Sequence, residues 1–415
     1  MIRINRFVFV LFVLALLGGE GYATHFIRLD SSRLARVKQS LQNGTASART
    51  RLAYEELIKD ADHLLTIENP SVVDKSIAPP TGDKHDYLSI SRYWWPDPES
   101  PDGLPWIRKD GETNPDTQTD AVDRKRLSLM TNGVQRLSLA YYFSGNEQYA
   151  KKATNMIKTW FLDDDTRMNP HLEFAQSVPG NPRRRPFGIL DGRSIIMNVP
   201  DAIEILSDSP HWTNSHHRKM SKWFNDYLAW LTESDLGKQG MELDNNHGSW
   251  YKYQVAALAL YLGKEPLVRR MVEMAQQSLE QQLNEQGGQI HELERTRSFF
   301  YSCFNLEALT SIATLADQVG INMWHFTTSE GKSLKLAINY LTPVVSGEDW
   351  PYPSKQGVNL SYLVPLLIRV PEKETSNEFD QLLFSAISIL EEQERTTGEK
   401  NEVLQELSLL KGIND

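Results

Sequence analysis

The chain has 415 residues, a formal net charge of −10 and a single cysteine, Cys303. One thiol excludes an internal disulfide, so stability must come from an apolar core, which a chain of this length can bury. The acidic balance argues against a nucleic-acid partner, yet a cleft lined with Arg, Lys and His can still collect an acidic ligand.

Residues 1–23 read as an export signal. Arg3 and Arg6 form the positive start, Phe7 to Leu17 is an apolar stretch short for a bilayer span, and Gly21-Tyr22-Ala23 supplies small residues for cleavage after Ala23. With no Cys near that site to carry a lipid, the expected product is periplasmic or secreted, without a membrane anchor. Residues 24–415 are expected to form one domain.

Helical periodicity dominates the remainder of the chain. Leu57, Ala61, Leu64 and Leu65 share one face of a first long helix. Leu127, Met130, Val134, Leu137 and Tyr141 form a second stripe, and Tyr149, Ala153, Met156, Ile157 and Trp160 a third. Leu267, Met271, Met274, Ala275 and Leu279 repeat the pattern. Further helices are expected near 215–233, 249–262, 299–318, 331–342, 358–369, 377–394 and 400–411. Two segments echo each other: Leu139 to Glu147 and Ala257 to Glu265 each end an apolar helix at a Gly and start another almost at once. Gly tolerates the left-handed cap, so each is a tight αα-hairpin. Roughly six or seven such hairpins fit the length, and each buries its apolar face only against neighbours. The expected fold is all-α, an (α/α) toroid.

Two long segments break this rhythm. Asp83 to Pro115 holds Tyr93, Trp94, Trp95 and Trp106, and Asp163 to Asn198 holds four prolines with Arg183, Arg184 and Arg185. Their aromatic content argues against disorder, and they are expected to wall a groove over one mouth of the ring. Ten Trp and fifteen Tyr suit a carbohydrate groove, although most rings in any chain are core.

Chemistry concentrates in Asn245, Asn246 and His247 and in Glu294, Arg295, Arg297 and Tyr301. An amide donor, an imidazole, a guanidinium and a phenol are the groups needed to neutralise a carboxylate and move a proton beside it. No Cys/His metal spacing is present, and no metal or cofactor is required. Cys303 reads as a small buried residue. Asn245 reads as the N-cap of the following helix.

Asp244-Asn245-Asn246-His247-Gly248-Ser249-Trp250-Tyr251 resembles the Asn-Asn-His segment of the alginate lyase family with an (α/α) toroid. Tyr93-Trp94-Trp95-Pro96-Asp97-Pro98, Asn169 through Gln176, Gly188 through Arg193, and Glu292 through Tyr301 resemble other segments of that family, in order. The resemblance implies β-elimination at a uronic acid. Asn246 and Arg295 would neutralise the charge that gathers on the carboxylate when the C5 proton leaves. Tyr301 would protonate the departing O4. His247, with an ordinary pKa near ~6.5, would be the base where H5 and O4 lie on opposite faces. Tyr301 would serve both steps where they share a face, provided Arg295, Arg297 or His247 lowers its ordinary pKa of ~10. Trp94, Trp95, Gln176, Arg193, Tyr251, Lys252, Arg297 and Lys355 are the expected substrate contacts, and an acidic polysaccharide the expected partner. Alginate is favoured, with a glucuronate polymer as the alternative. A hydrolase would need two carboxylates, for which Glu173, Asp191 and Glu294 are available. A non-catalytic glycan binder would keep the rings and arginines and not need Tyr301.

Overall fold

The computed structural model describes residues 26–371, 374 and 376–411. The expected export signal lies outside them.

The chain opens with helices α1 (Ser31–Asn43) and α2 (Ala48–Thr66). Next come three short strands, β1 (Leu88–Ile90), β2 (Trp94–Trp95) and β3 (Ile107–Arg108). Helices α3 (Arg124–Ser144) and α4 (Glu147–Ile157) precede β4 (Phe174–Ser177), which leads to α5 (Arg193–Leu206), α6 (Asn214–Glu233) and α7 (Asp235–Met241). The second half holds α8 (Asn246–Tyr261), α9 (Glu265–Gln282), α10 (Ile290–Leu293), α11 (Ser298–Gln318), α12 (Leu334–Asn339), α13 (Val364–Arg369), α14 (Asn377–Thr397) and α15 (Glu402–Lys411).

Both expected hairpins are present. Gly145 and Gly263 take left-handed φ of 71° and 68°, ending α3 and α8 just before α4 and α9 begin. The inner wall runs α2, α3, α5, α8, α11 and α13 by successive packing, and α14 and α15 bring the chain back onto α1 and α2. The result is an (α/α) toroid. Central α8 is buried on every side from Gly248 to Ala259, so it shows no amphipathic stripe; it belongs to the core itself.

Some expected boundaries shift for local reasons. The helix expected near 358–369 is shortened to α13, because Pro365, lacking an amide donor, suits only a helix's first turn. The one expected near 331–342 shrinks to α12, with Pro343 opening a separate 3-10 turn. Helices α1, α5, α7 and α10 are additions to the expected set, and α5 starts at Arg193, inside a stretch expected to be loop.

The two long loops form one roof. β1 pairs with β4 in parallel, β2 pairs with β3 with Trp94 opposite Arg108, and the Trp106 amide donates to the Pro179 carbonyl at 3.1 Å. Beneath it, Lys75 and Asp123 form a fully buried ion pair at 2.9 Å. The Lys75 ammonium also donates to the carbonyls of Val72 and Lys84, and Asp123 accepts from the Leu88 amide. The roof is thereby fastened to the start of α3.

Candidate active site

A cavity of ≈ 710 Å³ opens between the roof and the inner helices. Arg92, Arg108, Arg124, Lys125, Arg185, Arg193 and Arg295 line it, against one acid, Asp191. A chain of net charge −10 thus concentrates cations in this cavity, the arrangement expected for an anionic ligand.

Tyr301 sits in the first turn of α11, buried except toward this space. Its hydroxyl donates to the Tyr93 hydroxyl at 2.9 Å, and Arg297 Nη1 approaches the same oxygen at 3.4 Å. The Arg295 guanidinium lies against the Tyr301 ring, 3.7 Å from its centroid. Asp110, from the roof, orients it by accepting from Arg295 Nη2 at 2.8 Å and from the Thr296 hydroxyl at 2.9 Å. Burial opposes the charge on Asp110, but these bonds prevail and hold its carboxyl well below the usual range. Burial likewise raises the Tyr301 phenol well above its ordinary value; Arg295 works against this and does not overcome it. The expected lowering of this phenol by its arginine neighbours is therefore absent, because desolvation outweighs them. Tyr301 stands protonated, as an acid.

His247, the second residue of α8, shares the cavity. Its amide donates to Asn245 Oδ1 at 3.0 Å, so Asn245 is the helix cap that its position suggests. The ring packs edge-on against Phe187 at 4.9 Å. Burial, then the charges of Arg295 and Arg185, press its imidazolium pKa down to about 3. The ring is a neutral imidazole with Nδ1 unpartnered. Asn246 also touches the cavity but has no exposed surface: its Nδ2 lies 3.0 and 2.9 Å from the two Glu292 carboxylate oxygens, and its amide N donates to the same group at 2.8 Å. Burial raises the Glu292 carboxyl, and the Asn246 bonds oppose this. Contact between Asn246 and a ligand carboxylate therefore requires the surrounding wall to part.

Of the expected substrate contacts, Trp94, Gln176 and Arg193 line the cavity. Arg193 has no carboxylate within ion-pair range among the described residues; the rings of Trp250 and Phe304 hold its guanidinium at 4.9 and 5.1 Å. Arg185 lies between Trp94 and Phe187 at 5.1 and 4.9 Å, joining the two roof loops over the cavity. Other expectations need correction. Tyr251 is buried, its hydroxyl donating to the Leu231 carbonyl at 2.8 Å, so it does not line the groove. Lys252 is buried beside the Gly248 carbonyl because α8 is core on all sides. Trp95 turns outward, its indole donating to the Glu112 carbonyl and Lys109 lying over its ring. Lys355 pairs with Glu112 at 2.8 Å outside the cavity. Arg297 stands one residue back, over the Phe300 ring, and reaches the site through Tyr93.

Sequence reasoning missed Arg92, Arg124 and Asp110, and it named Asp191 only as an acid available to a hydrolase and Glu292 only as part of the segment running to Tyr301. Asp191 accepts from Tyr87, Ser89 and Gln176 and pairs with Arg124 at 3.0 Å. Glu173 is held by Arg184 and Trp230, and Glu294 is exposed, so no pair of acids lines the cavity for hydrolysis.

The alginate lyase family model matches residues 71–350. The crystal structure of an alginate lyase from Bacteroides ovatus is 32% identical, with 92% of this chain and 97% of that chain covered and a TM-score of 0.82. A variant of alginate lyase A1-III complexed with a tetrasaccharide is 16% identical over 83% of this chain and 88% of its own, with a TM-score of 0.55, a likeness of fold alone. No curated protein matches the chain. The arginine-lined cavity, the toroid that frames it and a family match spanning both clusters make this chain a member of the alginate lyase family, and a polysaccharide lyase.

Proposed function

We propose that the enzyme cleaves a uronate polymer, alginate favoured, by β-elimination, leaving a C4=C5 double bond. The observation that carries this reading is a phenol, Tyr301, in an arginine-lined cavity shared with an imidazole, His247, where burial favours the neutral form of each.

Removing the C5 proton drives charge onto the adjacent carboxylate, so donors must stand where that charge gathers. Arg295, stacked on the Tyr301 ring, supplies the nearest fixed cation, and the Asn246 amide adds a donor once the wall around it parts. Tyr301 delivers a proton to the departing O4. Where H5 and O4 lie on opposite faces, as in guluronate, His247 takes the C5 proton. Where they share a face, as in mannuronate and glucuronate, Tyr301 would serve both steps only if it first lost the proton that burial holds on it. Arg92, Arg185 and Arg193 suit the carboxylates of neighbouring units. The expected place of action is the periplasm or the cell exterior.

Incubation with polymannuronate, polyguluronate and a glucuronate polymer, followed by ultraviolet absorbance of the unsaturated product, tests the proposal. Tyr301→Phe is expected to lower kcat by about 10²–10⁴-fold while oligosaccharide binding persists. Absence of any absorbance rise on all three polymers would reject the lyase reading, and full turnover by the Phe variant would reject the role given to Tyr301.

A further inference from the structure

Among the described residues, Gln176 is the one non-glycine residue with positive φ, at 50°. It lies where the register between β1 and β4 slips: Leu88 pairs with Phe174, but Ile90 pairs with Ser177, so β4 carries one extra residue. A bulge of this kind re-aims a side chain, and its left-handed position is one that glycine fills without strain. Here a long polar side chain occupies it, and it lines the reaction cavity.

Every other polar group of Gln176 is tied down. Its amide N donates to Ser89 Oγ at 2.8 Å, and its carbonyl accepts from Ser91 Oγ at 3.0 Å. Its Nε2 donates to Asp191 Oδ1 at 3.0 Å. Asp191 also accepts from the Tyr87 hydroxyl at 3.0 Å and Ser89 Oγ at 2.5 Å, and it pairs with Arg124, so it acts as an acceptor only. This fixes the amide orientation of Gln176: nitrogen toward Asp191, oxygen away from it. That Oε1 has no hydrogen-bond partner among the described residues. It is a fixed, neutral acceptor in a cavity that seven Arg and Lys side chains also line.

Arginines satisfy carboxylates, and a fixed neutral acceptor suits a hydroxyl. We infer that Gln176 is a specificity-determining residue that receives a ring hydroxyl of the uronate through Oε1, with Asp191 and the β4 bulge as its positioning elements. Uronate epimers differ in where they place ring hydroxyls around a common carboxylate, so one fixed acceptor distinguishes epimers that the arginines bind alike. This rests on the uronate-lyase reading above.

The test compares kcat/KM on polymannuronate, polyguluronate and a glucuronate polymer for wild type, Gln176→Ala and Gln176→Gly, with thermal unfolding of each. Both variants are expected to lose about 10–100-fold on the preferred polymer and much less on the others, bringing the rates together. Gln176→Gly is expected to keep or raise Tm, because glycine accepts the backbone conformation that strains glutamine. Asp191→Asn should move the same ratio, since an amide there no longer dictates which end of Gln176 faces the cavity. Turnover by the wild type with unchanged polymer ratios in the Ala and Gly variants overturns the assignment alone. No turnover of any polymer by the wild type overturns the lyase reading and the assignment with it.

Discussion

At the scale of single residues, environment decides which group is acid and which is base. Tyr301 and His247 have ordinary pKa values that suit the opposite sides of neutrality, and burial drives them further apart by penalising the charged form of each. The consequence for His247 is measurable as stability. Its native pKa of about 3 lies below the unfolded value, so the unfolded chain takes up a proton that the native ring refuses. The stability is present above pH ~6.5 and is lost as pH falls toward the native pKa. Between pH 7 and about 4.5, wild type is expected to lose roughly 2 kcal/mol more unfolding free energy than His247→Gln, by urea titration. Equal losses would show that the ring is not held neutral by the fold. The clusters Asn246–His247 and Arg295–Tyr301 were legible in the sequence because several reactive residue types stand close together. Arg92 and Arg124 were not, because isolated arginines between loops and helices carry no pattern until the fold gathers them. Tyr251 and Lys252 misled for the converse reason: they adjoin the reactive cluster in sequence but turn with α8 into the core.

At the scale of elements, the helices follow from periodicity and the roof does not. Gly145 and Gly263 mark hairpins because a left-handed cap needs glycine, a local requirement readable from the chain. The roof depends instead on contacts between distant segments, such as Arg185 between Trp94 and Phe187 and the parallel pairing of β1 with β4. Its attachment to α3 rests on the Lys75–Asp123 pair, with both side chains fully buried. Burial pushes the Asp123 carboxyl up to about 6 even with Lys75 beside it, so the carboxylate depends on its partner. Lys75→Met is expected to destabilise the protein by about 3–5 kcal/mol, because a buried charge is left uncompensated. Lys75→Met with Asp123→Leu should recover much of that loss, since two apolar groups replace the pair. Chemical denaturation of both variants checks this; a double variant no better than the single one would mean the pair is needed for more than its charge balance.

At the scale of the whole molecule, a ring of helices buries its apolar faces between neighbours and leaves its mouth to loops that carry charge. The net charge of −10 and the arginine-lined cavity pull in opposite directions on a polyanion. The cavity's field acts at short range, so it is screened less than the exposed surface, yet entry still crosses solvent. Raising NaCl from about 50 mM to about 500 mM is expected to lower kcat/KM several-fold, chiefly through KM, with kcat nearly constant. A salt-independent KM would remove the cations from substrate capture. The reaction class admits a more direct test. Mass spectrometry of oligosaccharides released from polymannuronate or polyguluronate separates elimination from hydrolysis, because each elimination product with a new non-reducing end is lighter by one water. Wild type is expected to release such unsaturated fragments, and Tyr301→Phe to lose them. Fragments carrying the full added water, produced by the enzyme at a comparable rate, would contradict elimination.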